Sequence, residues 1–114
     1  MEVEGVEVDE AWWTSNYAPP TFIPLSYADS EAAQQTVASR TDSVLLFCYF
    51  NCEPAWRSYL KHFAGNMVIV CGPGKGSETH SDPQPFQPLT PEWTIVDGHR
   101  VGNSHDHIAV YVRI

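Results

Sequence analysis

The chain has 114 residues, 43% of them hydrophobic and 18% charged. At ~100–200 residues per domain this is a single globular domain over 1–114, which excludes a disordered tail or a fibre. Fourteen acids against six Lys and Arg leave a net charge of -8, which repels phosphate backbones and argues against nucleic acid as a partner.

The N-terminus, MEVEGVEVDE, is acidic where a signal or transit peptide is basic. No apolar run approaches the ~20 residues that span a bilayer. Three cysteines without a secretion signal favour reduced thiols, so the expectation is a cytoplasmic protein without membrane contact. Val6-Glu7-Val8-Asp9 alternates as a half-buried strand does, and Trp12 and Trp13 follow. Thr21 to Tyr27 is β-rich, but Pro24 restricts it to an edge or a bulge. Asp29 or Ser30 caps a helix running to about Arg40, with Ala33 and Val37 on its inner face.

Val44 to Phe50 is apolar throughout and too short for a typical helix, so it reads as a strand buried on both faces. Pro54 suits the first turn of a helix. Trp56, Tyr59, Leu60 and Phe63 then make one apolar stripe, with Gly65 as a left-handed stop. Met67 to Cys71 is a second apolar strand. Strand, helix and strand over 44–71 predict a βαβ unit with parallel strands. Residues 72–91 hold three glycines and five prolines and read as a long loop of the functional or mobile kind. Trp93 to Val96 and His107 to Arg113 predict an antiparallel hairpin, with Asp97-Gly98 or Gly102-Asn103-Ser104 turning the chain.

Three local motifs carry chemistry, each beside an ordinary reading. Gly72-Pro73-Gly74-Lys75-Gly76 follows a strand as a phosphate loop does, but no helix opens after it, which favours a plain loop. His105-Asp106-His107 suggests a metal, but on a strand the two histidines point to opposite faces, which favours a polar turn. Cys52 sits among polar residues as a nucleophile would, yet no base lies nearby in sequence. No catalytic residue and no metal ligand is assigned.

The order of elements resembles a class I S-adenosylmethionine methyltransferase-like family. The matching words are Asp9 with Trp12-Trp13, Tyr27-Ala28-Asp29-Ser30, Leu45-Leu46-Phe47-Cys48-Tyr49, Gly65 to Val70, Glu92-Trp93 and His105-Asp106. The resemblance implies an α/β fold: a Rossmann-like partial sheet, mostly parallel, with a C-terminal antiparallel β-hairpin and helices packed on the sheet. It implies that Asp9 and Asp29 bind the cofactor's ribose and adenine, and that Asn51, Cys52 and Glu53 face the substrate. The chain begins at what is the family's second strand, so it is N-terminally truncated relative to the family and lacks the glycine-rich loop that holds the methionine part. The strands flanking the missing one must close up, accept a strand from a partner, or leave an exposed edge.

Two functions follow. The first is a degenerate or truncated domain without independent catalysis or cofactor, serving as a binding or interaction module for a protein partner or a second copy. The alternative is an S-adenosylmethionine-dependent methyltransferase completed by another chain or by upstream sequence.

Overall fold

The computed structural model describes residues 3–7, 10–18, 20, 23–27, 34, 35, 37, 38, 41–74, 76 and 78–114. Its named elements are β1 (Gly5–Glu7), α1 (Glu10–Trp13), β2 (Leu25–Tyr27), β3 (Val44–Cys48), α2 (Glu53–His62), β4 (Met67–Pro73), β5 (Trp93–Arg100) and β6 (Asp106–Arg113). β1 and β2 pair in parallel as a separate two-stranded sheet. The other four strands form one sheet in the order β3-β4-β6-β5. Gln34, Gln35, Val37 and Ala38 are helical, and Val37 is buried in the core. The helix caps expected at Asp29 and Ser30 lie outside the described residues.

The two apolar runs pair in parallel, Val44 against Met67 through Cys48 against Cys71, with α2 between them in sequence. β6 then pairs antiparallel with both β4 and β5. The chain turns at 101–105, and Asp97-Gly98 continues β5 beyond a bulge between Ile95 and Asp97.

The expected helix-packed, mostly parallel Rossmann-like sheet is not what forms. The protein is mainly β, its four-stranded sheet is mixed, and the parallel pair β1-β2 stands apart from it. Among the described residues no strand pairs with the outer side of β3.

The strands are also not buried on both faces. Along β3 the exposure alternates, with Phe47 buried while Val44, Leu46 and Cys48 stay exposed. An apolar run permits burial on two faces, but burial requires a second covering layer, and the described chain supplies one. That layer is α2 together with residues 81–91. Trp56, Tyr59 and Leu60 of α2 are buried with Phe47, Val68, Val70, Ala109 and Tyr111 of the sheet.

The long loop is a packed element over its second half. Ser81, Pro83, Pro85 and Leu89 are buried. The Tyr111 hydroxyl donates to the Gln87 carbonyl at 2.7 Å, and Trp56 Nε1 donates to Asp82 Oδ1 at 2.9 Å. Proline suits this role because it buries apolar surface without bringing an amide donor that needs a partner. Gly98 allows the Phe86 ring to approach the sheet; a Cβ there would meet that ring and the Ile108 carbonyl oxygen at 2.8 Å. Gly65 is not a left-handed stop. Phe63 caps α2 in an extended conformation, and a Cβ on Gly65 would lie against the Phe63 ring and 2.8 Å from the Ser43 carbonyl oxygen.

Candidate functional site

Two regions of the surface stand out, one polar and one apolar. The polar region lies where β4 ends and β6 begins. Gly74, Gly76, Glu78 and Thr79 after β4 face Arg100, Ser104, His105 and His107 across an open cleft of about 600 Å³. Sequence spacing treats the glycine-rich segment and the histidines as unrelated; the antiparallel pairing of β4 with β6 brings them together. Their separation onto opposite faces does not apply, because His105 precedes β6 and only His107 is in the strand. The Gly74 amide donates to the His105 carbonyl at 2.9 Å, fastening the two walls.

The chemistry of this cleft is limited. Arg100 Nε donates to the Ser104 carbonyl at 2.7 Å and Nη2 to the Asn103 carbonyl at 2.8 Å, so the guanidinium braces the β5–β6 turn. β4 runs on into Gly72 and Pro73, and the described residues after it form turns and bends rather than a helix that could hold a phosphate. No group of three or more His, Cys, Asp and Glu placed to hold a metal ion occurs among the described residues.

Beside the cleft, the Tyr49 hydroxyl donates to Asp106 Oδ1. That bond, then burial and the nearby negative charge, raise the Tyr49 pKa above its ordinary value, since ionisation would put two anions in contact. Tyr49 has a positive φ of 52°, a conformation a tyrosine rarely adopts. No sequence pattern signals this contact: it joins residues 57 apart.

The residues expected to face a substrate do not line the cleft. Asn51 forms an isolated parallel bridge with Asp82. Cys52 is the N-cap of α2, half-buried, with no side-chain cap bond. Glu53 pairs with Arg57 at 2.9 Å, and the Arg57 guanidinium lies 4.4 Å over the Trp56 ring. The histidine of the same helix, His62, contacts the Ser58 carbonyl at 2.8 Å, so it is not placed as a base for Cys52. Asp9 and Asp29, expected to bind a nucleoside, lie outside the described residues.

The apolar region is the other face of the four-stranded sheet. Register places Val44, Leu46 and Cys48 of β3 beside Met67, Ile69 and Cys71 of β4, and these beside Val112, Val110 and Ile108 of β6. Leu46 is 57% exposed, Val44 48% and Met67 37%. Charge enters only towards β5 and the strand ends, where Asp97, His99 and Asp106 share the face by register.

No family model, curated protein or solved structure matches the chain. No helix among the described residues is long and apolar enough to cross a membrane.

Proposed function

We propose that the chain is an interaction module without independent catalysis, and that its open sheet face docks on the same face of a second copy. The observation that carries this reading is the uncharged apolar centre of that face, built from β3, β4 and β6, where Val44, Leu46 and Met67 are exposed and Ile69, Val110 and Val112 are half-buried. Three strands at ~4.8 Å spacing make a patch about 14 Å wide, and strands of five to eight residues make it about 17–26 Å long. The projected area is roughly 240–370 Å² per copy at that strand spacing, below the ~500 Å² per partner of standard specific interfaces and in the range of weak, transient contacts. Exposed apolar patches of that size mark interaction sites on folded proteins. Two sheets stacked ~10 Å apart would interleave these side chains, as the layers of a sandwich do.

A twofold dimer brings each residue against the same surface on its partner and closes without further growth. Net charge opposes it, because each copy carries -8. Association of this kind strengthens with salt, whereas docking on a basic partner weakens with it. Sedimentation velocity at about 50 mM and about 500 mM salt distinguishes them by the screening length. The expected result is a dimer favoured at high salt and lost in Met67→Lys. A monomer at both ionic strengths, up to high protein concentration, overturns the reading. Titration with S-adenosylmethionine tests the methyltransferase alternative: the interaction reading expects no saturable heat from this chain alone.

A further inference from the structure

We propose that Cys48 and Cys71 are a redox-active dithiol, closing to an intramolecular disulfide by exchange with a small-molecule disulfide of the glutathione type. The two residues are direct partners in the parallel register of β3 and β4. Neighbouring strands lie ~4.8 Å apart, inside the ~4.4–6.8 Å Cα separation that a disulfide accepts. Direct opposition also sends both Cβ atoms to the same side of the sheet, and that side is the open one. Cys48 is exposed, Cys71 is half-buried, and neither is in a disulfide. The Cys48 sulfur is near enough to raise the Cys71 pKa. Cys52, the third cysteine, is the cap of α2 and has no place in this register.

Exposure makes Cys48 the attacking group. Its thiolate attacks one sulfur of glutathione disulfide, forming a mixed disulfide and releasing one glutathione thiolate, which takes up a proton. Burial first, and then the neighbouring Cys48 sulfur, raise the Cys71 thiol above its ordinary pKa, so Cys71 is less often a thiolate and reacts second. Cys71 gives its proton to solvent and attacks Cys48 Sγ. The bond to glutathione breaks, and the second glutathione leaves as a thiolate that is then protonated. The protein loses two electrons and two protons, and glutathione disulfide is reduced to two glutathione molecules. A disulfide this exposed belongs with the labile, reversible ones rather than with structural bridges. Exchange needs this face exposed, so it takes place on the single copy, and docking of a second copy would protect the pair.

The test equilibrates the full chain in graded mixtures of reduced and oxidised glutathione, blocks free thiols in acid, and maps disulfides by mass spectrometry. The expected product is lighter by two hydrogens, joins Cys48 to Cys71, and keeps Cys52 free. Cys52→Ser leaves it unchanged, Cys48→Ser abolishes it, and Cys71→Ser converts it to a mixed disulfide with glutathione at Cys48. Four wild-type results each overturn the proposal: Cys52 in the bond, a stable mixed disulfide, an intermolecular bond, or thiols that stay free in the most oxidising mixture. The mapping on the unaltered chain decides the matter even if a variant misfolds.

Discussion

The two faces of the four-stranded sheet are built from the same runs of residues yet have opposite fates. Phe47, Val68, Val70, Ala109 and Tyr111 point under α2 and the proline-rich segment and are almost fully buried. Leu46, Met67 and Val44, their immediate neighbours in sequence, point the other way and remain exposed. Hydrophobicity along the strand is nearly uniform, so composition does not separate the faces. What separates them, among the described residues, is the layer of α2 and residues 81–91, and the covered face owes its burial to side chains from distant parts of the chain. The open face is left with apolar surface whose removal from water would contribute roughly 25 cal/mol per Å².

Substitutions can sharpen or break this contrast. The largest effect is expected on the covered side: Trp56→Ala should destabilise by ~3–5 kcal/mol. It removes a fully buried ring and leaves Asp82 without its indole donor. Denaturant unfolding measures it, and a loss below ~1 kcal/mol would show that α2 does not seal that face. A smaller cost, ~1–3 kcal/mol from overpacking, is expected for Gly98→Ala. The Phe86 ring can shift from the new Cβ, but the Ile108 carbonyl oxygen at 2.8 Å is backbone and cannot shift easily. A variant as stable as the parent would mean that the proline-rich segment sits looser on β5 than the geometry indicates.

The third prediction uses pH. Burial pushes the Tyr111 pKa from 10.0 up to about 12. Between those values the unfolded chain has released the phenol proton and the folded chain still holds it. Stability from this group is therefore complete below pH 10 and falls as pH rises from 10 to about 12. Tyr111→Phe should flatten that part of the curve, while a profile unchanged by the substitution would show that Tyr111 titrates alike in both states. The smallest effect on folding is expected on the open side. Leu46→Lys should leave unfolding within ~0.5 kcal/mol of the parent, the range of ordinary surface changes. The same variant should weaken self-association, measured by sedimentation. A large loss of stability in the monomer would reveal an internal cover for this face.

Local signals in the chain were read correctly where the cause was itself local. The run Val44 to Phe50, the stripe Trp56, Tyr59, Leu60 and Phe63, and the run Met67 to Cys71 lead to a strand over Val44–Cys48, a helix over Glu53–His62 with Phe63 as its cap, and a strand over Met67–Pro73. The hairpin of β5 and β6 was also legible, although its turn was not placed uniquely. Gly98 suggested a turn by its residue type, but it serves instead as the gap under Phe86. The proline-rich segment read as loose because prolines forbid regular structure; irregular backbone is nonetheless compatible with tight packing, as Ser81, Pro83 and Leu89 show. Of the candidate site, the glycine-rich segment and the histidines were visible separately. Their meeting in one cleft depends on β4 pairing with β6, a contact between residues far apart in the chain.

The sequence by itself determined the charge, the positions of two thiols in apolar runs, and the element types over 44–71. Each depends on composition or on periods of two and 3.6 residues, which act over a few neighbours. Only the tertiary structure decided that the sheet is mixed and split from β1-β2, and that Val44, Leu46 and Met67 on one of its faces are exposed. It alone set Cys48 opposite Cys71 and Tyr49 against Asp106. These are matters of strand order, register and covering layers. They are fixed by competition among many distant pairings, and no short stretch of sequence carries the outcome of that competition.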